Sequence, residues 1–197
     1  MTFGRYKMNI MKLKLEKSLK KKWAIKLITK HPDSDGYNGI VLNYSRCLIA
    51  IREYHDFKPD GLMFFPKRAI EQIRDDNFEK CENKILRMTG GIKDAKQLNW
   101  IKKINNLNEL FSYCKKNNIW PAVETVQNNE DAFYLGPITK VTSISILLYC
   151  YDASGKWENE YNIKNKDVLR VEIFSHYVDS FNKYMMAYNK PISPTGQ

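Results

Sequence analysis

Hydrophobic and polar positions along this chain form two successive rounds of pattern that run in the same order. Each round opens with an amphipathic helix, continues through short β-rich runs separated by polar breakers, and closes with a second helix. In the first round, apolar residues at helical spacing among lysines predict the opening helix over residues 8–21. The pattern therefore predicts a mainly β, α+β fold with flanking helices.

The breakers divide the first round into five short strands. These are predicted over residues 23–30, 37–44, 47–54, 62–65 and 70–74. Asp60-Gly61 is the predicted break before the fourth strand, and residues 66–69 form the predicted single helical turn before the fifth. The closing helix is predicted over residues 78–88. Its buried face is expected to consist of Phe78, Cys81, Ile85 and Met88.

The second round repeats this order of elements. Its opening helix is predicted over residues 107–117 and its closing helix over residues 176–188. Its strands are predicted over residues 122–127, 133–142, 144–151, 157–163 and 168–174. Residues 165–167 form the predicted turn before the last strand.

Individual residues recur as well, which indicates an internal duplication. Three pairs share an offset of 97 residues: Trp23 with Trp120, Tyr37 with Tyr134, and Gly39 with Gly136. After two residues of slip, Asn83 recurs as Asn182. We therefore predict one domain over residues 8–90, a linker over 91–104 and a second domain over 105–190.

The order of elements resembles that of Sm-like and related SH3-like small β-barrels. The residues that carry the resemblance are Gly39-Ile40-Val41 through Ile49, Asp60-Gly61 and Ile70 in the first round, and Gly136-Pro137-Ile138 through Leu147, Gly155 and Val168 in the second. The first round also looks like uncharacterised bacterial proteins with a Phe-x-x-Asp-Gly segment, here residues 57–61. The resemblance implies two tandem five-stranded barrels and, as Sm-like proteins bind RNA, a nucleic-acid ligand as one expectation.

Positive charge is concentrated at the amino-terminal end of the chain. Residues 1–22 hold eight basic residues and one acidic residue, whereas the other 175 residues contribute only +3 to the net charge of +10. The lysines of the first helix are open to three interpretations: a solvated face, contacts to phosphates, or attachment to a membrane surface. Lys14, Lys17 and Lys21 are the candidate contacts on this helix.

Hydropathy predicts no membrane span and a cytoplasmic location. No apolar run approaches the roughly 18 residues that a spanning helix needs. The amino-terminal leucines are interleaved with lysines, whereas a signal peptide needs a continuous apolar stretch.

Aromatic residues on or beside the predicted strands are the strongest candidates for a binding surface. Exposed aromatic rings on a small barrel stack nucleic-acid bases or anchor protein interfaces. We select Trp157 beside the last hairpin turn, together with Tyr151 and Tyr54, as candidate partner-binding residues.

The sequence predicts no catalytic, metal or cofactor site. His55 precedes Asp56 at a predicted strand end with no nucleophile nearby, so we expect an open turn there. The four cysteines are scattered, without a pair at metal-ligand spacing. We therefore predict a non-enzymatic bacterial protein that binds a protein partner, of the adaptor or toxin-neutralising immunity type. The alternative is an RNA- or DNA-binding protein that uses its barrels and the basic first helix.

Overall fold

The computed structural model describes residues 2–30, 35–91, 98–127 and 130–189. The chain divides into two compact units, Met1–Asn106 and Leu107–Gln197, called unit 1 and unit 2 below. Their described residues form α-helices and antiparallel strands, so the fold is α+β. Residues 92–97 of the predicted linker and residue 190 lie outside the described residues.

Unit 1 consists of a long helix, five strands and a second helix. The elements are α1 (Thr2–Lys21), β1 (Ile25–Thr29), β2 (Tyr37–Tyr44), β3 (Leu48–His55), β4 (Lys58–Pro66), β5 (Ile70–Arg74) and α2 (Asn77–Met88). The strands follow the order β5-β1-β2-β3-β4, and every pairing is antiparallel. The predicted single turn before the last strand is a 3-10 turn at Lys67–Ala69.

Helix α1 packs on this sheet through its apolar stripe. Leu15 is fully buried against strand residues that include Ile25 and Phe65. Beside it, the Ser18 hydroxyl accepts a hydrogen bond from the Val41 amide at 2.9 Å. The burial of this stripe fixes which face of α1 points away from the sheet.

Unit 2 contains the same elements with one strand divided. They are α3 (Leu107–Lys116), β6 (Ala122–Gln127), β7 (Glu130–Leu135), β8 (Ile138–Val141), β9 (Ser145–Tyr151), β10 (Trp157–Lys164), β11 (Val168–Ile173) and α4 (His176–Tyr188). Antiparallel pairing links β11 to β6 and β6 to β7, and a three-stranded sheet has the order β10-β9-β8. Strands β7 and β8 together stand where unit 1 has the continuous β2.

The two recurring glycines have the same physical cause, because at both the neighbouring strand comes too close for a side chain. A Cβ atom on Gly39 would lie 2.7 Å from the Arg52 carbonyl oxygen. On Gly136, which has a φ of +154°, it would lie 2.0 Å from the Tyr149 carbonyl oxygen. The two glycines are therefore required by strand packing in each unit.

Some sequence expectations need correction. Strand β4 begins at Lys58 and continues through Asp60-Gly61, because the chain turns earlier, at Asp56 and Phe57, both of which have positive φ. The buried residues of α2 are Glu79, Asn83 and Leu86, whereas Phe78, Cys81 and Met88 are exposed. Among the described strands no closed barrel is detected, and β4 and β5 are not hydrogen-bonded to each other.

The reason for the different face of α2 is a buried amide. The Asn83 side chain accepts a hydrogen bond from the Ala24 amide at 2.7 Å and donates to the Ala24 carbonyl at 2.9 Å. Glu79 is held by Arg74 and by the Asp76 amide at the start of the helix. These polar contacts turn Asn83 and Glu79 inward, and the apolar Phe78 and Met88 point outward as a result.

Candidate partner-binding surface

Helix α4 exposes a stripe of aromatic side chains. It begins after Ser175, whose hydroxyl accepts a hydrogen bond from the Val178 amide at 3.2 Å, an N-cap contact. Val178 and Met185 are fully buried in the core of unit 2 and fix the rotation of the helix. The α4 aromatic stripe lies on another face and consists of Tyr177, Phe181, Tyr184 and Tyr188, spaced four, three and four residues apart.

Three of the four rings in the α4 aromatic stripe are exposed to solvent. Tyr188 is 81% exposed, Tyr177 49% and Tyr184 48%, while Phe181 is half-buried. Phe133 of β7 extends the surface, because its ring lies edge-on to Tyr177 with centroids 6.1 Å apart. Tyr177 in turn contacts Phe181 with centroids 4.9 Å apart, so Phe133, Tyr177 and Phe181 form a connected patch, and Tyr184 and Tyr188 form a second pair at 5.5 Å.

Two clefts open on either side of Phe181. One, of about 320 Å³, lies between α4 and the β9–β10 turn and is lined by Ser154, Gly155, Ser180, Phe181 and Tyr184 among others. The other has a volume of about 280 Å³ and is called the aromatic cleft below. Its described lining residues are Phe133, Leu135, Tyr151, Asp152, Ala153, Glu158, Tyr177 and Phe181. Such paired depressions beside an aromatic ridge are typical of surfaces that receive partner side chains.

A recurring asparagine positions the floor of the aromatic cleft. The Asn182 side chain donates to the Trp120 carbonyl at 2.9 Å and accepts a hydrogen bond from the Tyr151 hydroxyl at 2.8 Å. Burial raises the pKa of Tyr151 above its ordinary value, so its phenol stays protonated and keeps donating. The position of Tyr151 is therefore fixed before any partner arrives.

The two aromatic candidates of unit 2 lie in or behind this cleft. Tyr151 is almost fully buried and only lines the cleft. Trp157 is half-buried, stacks on Tyr149 with centroids 4.7 Å apart, and donates from its indole nitrogen to the Asn189 carbonyl at 2.7 Å. Strand alternation turns both rings toward the core, so Tyr151 is buried and Trp157 is half-buried. Their part in partner binding stays a prediction.

Tyr54 of unit 1 is also buried, which corrects its proposed place on the surface. Its ring packs with Ala24, Ile40 and Leu86, and its hydroxyl donates to the Gly91 carbonyl at 3.2 Å. It tethers the end of α2 to the sheet and presents no ring face to a partner.

The candidate lysines of α1 differ in how free they are. Lys14 donates to the Ile73 carbonyl at 2.7 Å, and Lys17 forms an ion pair of the same length with Asp75. Both ammonium groups are thereby directed at β5 and the residue after it. Lys21 is exposed, as are Lys12 and Lys20.

Among the described residues, the histidine and cysteine side chains are not grouped as metal ligands. His55 and Asp56 lie exposed on the β3–β4 turn, with His55 Nε2 3.7 Å from Asp56 Oδ2. Within the described ranges, no group of three histidine, cysteine or acidic side chains could hold a metal ion. The cysteines are free thiols: Cys47 and Cys81 are exposed, and Cys114 and Cys150 are buried.

The α4 aromatic stripe was missed by sequence reasoning, which predicted the closing helix over residues 176–188 and selected no binding residue on it. The sequence does contain a signal for this stripe. Four aromatic residues lie at helical spacing along residues 177–188, and Val178 and Met185 form a separate apolar pair on the same helix. Two apolar stripes on one helix predict that only one of them is buried.

Comparison with protein-family models, curated proteins and solved structures finds no match for this chain. In the part of the chain that the structure describes, no helix is both long and apolar enough to cross a membrane.

Proposed function

We propose that this chain is a non-enzymatic, cytoplasmic binding protein that acts by contacting another protein, as adaptors and toxin-neutralising immunity proteins do. The observation that carries the proposal is the α4 aromatic stripe. Exposed, connected aromatic side chains next to clefts are the usual composition of protein-interface hot spots. The contact surface we assign consists of the stripe together with Phe133.

The recurring strand order supports a finer proposal for the fold. In unit 1 the last strand pairs with the first, which pairs with the second, and unit 2 shows the same neighbours in β11, β6 and β7. We propose that each unit is an open variant of the Sm-like or SH3-like barrel. The duplicated glycine and the 3-10 turn before the last strand of each unit are the local features in its favour.

Nucleic-acid binding is the second candidate, and one observation favours it. Unit 1 carries 23 basic and 12 acidic residues, a net charge of +11, whereas unit 2 carries 9 and 10. Lys12, Lys20 and Lys21 of α1 are exposed, as contacts to phosphates require, and Lys12 also forms an ion pair with Glu16 at 3.8 Å. This candidate ranks second because the ammonium groups of Lys14 and Lys17 donate hydrogen bonds within unit 1.

Site-specific photo-crosslinking tests the proposal. A benzoylphenylalanine replaces Tyr188 in one variant and Phe78 of α2, which is 74% exposed, in the matched control. In lysate of the source cells, the Tyr188 variant is expected to give a discrete protein adduct that the Phe78 variant does not give. Equal adducts from both positions, or none from Tyr188, would contradict the assigned surface.

A parallel measurement addresses nucleic acid. Replacing Lys12, Lys20 and Lys21 with glutamine keeps helix propensity and leaves the buried stripe of α1 intact. Under our proposal, neither this variant nor the parent binds random single-stranded RNA more tightly than about micromolar at physiological salt. Submicromolar binding by the parent that is lost in the variant would reverse the ranking.

A further inference from the structure

The aromatic cleft of unit 2 combines ring faces with carboxylates. Phe133 and Tyr177 contribute exposed rings, Phe181 contributes a half-buried ring, and Tyr151 lies buried in its lining. Both charged residues among its eight described lining residues are acidic, Asp152 and Glu158. A concave site with aromatic walls and negative charge is complementary to an organic cation, because ring faces carry negative electrostatic potential.

Hydrogen bonds from the β9–β10 turn hold the Asp152 carboxylate and favour its ionised form. Its Oδ1 accepts hydrogen bonds from the Ser154 amide and hydroxyl and from the Lys156 amide, at 2.6 to 3.0 Å. These hydrogen bonds, led by that of the Ser154 hydroxyl, hold the pKa of Asp152 below its ordinary value. These three donors are all on Oδ1, so the carboxylate of this lining residue can accept a further hydrogen bond through its other oxygen.

The same surface already contacts one guanidinium group from within unit 2. Arg170 lies over the Phe133 ring with its Cζ 6.0 Å from the centroid. Arg170 is held there by ion pairs to Glu124 and Glu172, so it is not available to fill the cleft. Phe133 is still 45% exposed beside Tyr177, which leaves ring surface for a second cation.

We propose that the aromatic cleft binds the guanidinium or ammonium group of an arginine or lysine side chain presented by the protein partner. The cation lies against Phe133, Tyr177 and Phe181, and Asp152 and Glu158 accept its hydrogen bonds. This inference rests on the proposed function and adds the chemistry of the partner's anchor residue. The α4 aromatic stripe then covers the apolar residues that flank the anchor.

Peptide titration of the full chain, followed by NMR of its aromatic side chains, tests this assignment. The probes are acetyl-Gly-Arg-Gly-amide, its lysine equivalent, and the neutral peptide in which citrulline replaces arginine. The cationic peptides are expected to give saturable shifts at Phe133, Tyr177 and Phe181, with affinity at least about threefold above that of the citrulline peptide. Equal binding of the citrulline peptide would overturn the proposal, as would the absence of saturable shifts from both cationic peptides.

Matched variants separate ring electrostatics from apolar contact. Tyr177→Phe keeps the ring and should retain affinity for the arginine peptide, whereas Tyr177→Leu should weaken binding about threefold or more. Glu158→Gln removes charge at nearly constant shape and should weaken binding by about two- to fivefold. Phe78→Leu on α2 is the control and should leave binding unchanged. If Tyr177→Leu and Glu158→Gln both bind like the parent, the cation is held elsewhere and the proposal is wrong.

Tetramethylammonium distinguishes a side chain from a free small cation. If it binds at the same rings more tightly than the arginine peptide, the cleft is a small-molecule site and the partner assignment is overturned. The failures of the two proposals are also distinguishable. A Tyr188 crosslink without cation binding removes this inference and leaves the proposed function, whereas cation binding without any protein crosslink removes the proposed function.

Discussion

The closing helices of the two units each hold an asparagine that hydrogen-bonds the backbone, but they present different surfaces. Asn83 of α2 and Asn182 of α4 lie 99 residues apart, and each hydrogen-bonds the backbone just before or at the start of the first strand of its unit. At the same offset, however, Phe181 and Tyr184 of the α4 aromatic stripe correspond to Glu82 and Ile85 of α2. The asparagine contact is common to both units, whereas the residues on the outward face differ.

The difference shows where this fold tolerates change. Residues that hold the helix onto the sheet are specified by hydrogen bonds to fixed backbone groups, so they recur. Residues on the outward face have no such constraint and can acquire a ridge in one unit and a mixed polar surface in the other. Experiments on paired positions can therefore show whether the two units are equivalent in framework and distinct in surface.

The largest expected effect is at the paired glycines. Gly136→Ala should destabilise unit 2 by about 3 to 5 kcal/mol, because the new Cβ meets the Tyr149 carbonyl oxygen and the backbone has a φ that favours glycine. Gly39→Ala should cost less, about 1 to 3 kcal/mol, because part of its clash is with the movable end of Ile51. Urea unfolding monitored by tryptophan fluorescence measures both. If both variants lost the same free energy of unfolding, the predicted larger cost at Gly136 would be wrong.

The paired asparagines should follow. Asn83→Ala should destabilise unit 1 by about 2 to 4 kcal/mol, since it leaves the buried amide and carbonyl of Ala24 without their partner. Asn182→Ala should cost about 1 to 2 kcal/mol because its contacts to Trp120 and Tyr151 are only partly buried. The matched controls are Lys84→Ala and Lys183→Ala. Each changes the exposed lysine that follows the asparagine and should alter stability little. A larger loss from Asn182→Ala than from Asn83→Ala would contradict this ranking.

The smallest effect depends on pH and should appear in unit 1. Burial, together with the nearby charge of Glu79, raises the pKa of Glu82 from 4.5 to about 7. Between these values the folded chain keeps a proton that the unfolded chain has lost, so the stability of unit 1 should fall as pH rises from about 4.5 to about 7. The expected loss is about 1 to 2 kcal/mol, because the half-exposed carboxyl is partly screened by solvent.

Urea unfolding of the parent and of Glu82→Gln across this pH range measures that loss. The glutamine variant should lack the decline, whereas Glu71→Gln, a change at an exposed carboxylate on β5, should retain it. A decline of the same size in Glu82→Gln would assign it to other groups. Unit 2 has Phe181 at the matching position and should not show this contribution.

The sequence by itself determined the order of the helices and strands. Strands β2, β5 and β6 have the predicted bounds, and the 3-10 turns at Lys67–Ala69 and Asn165–Asp167 lie within the turns predicted over residues 66–69 and 165–167. Gly39 and Gly136 could be paired from their spacing because close strand crossings admit no side chain. Such features are local, so they are visible in the order of residues.

Only the tertiary structure decided which faces are exposed, and with them the candidate site. Asn83 is buried because its partner Ala24, 59 residues away, supplies a backbone amide and carbonyl, and no local pattern signals that pairing. The same applies to Tyr54 and Tyr151, whose hydroxyls donate hydrogen bonds to Gly91 and Asn182. It also applies to Lys14 and Lys17, whose ammonium groups contact other residues of unit 1. Periodicity assigns apolar residues to a core, but the burial of a polar group depends on a distant partner, and that partner decides which apolar residues remain outside.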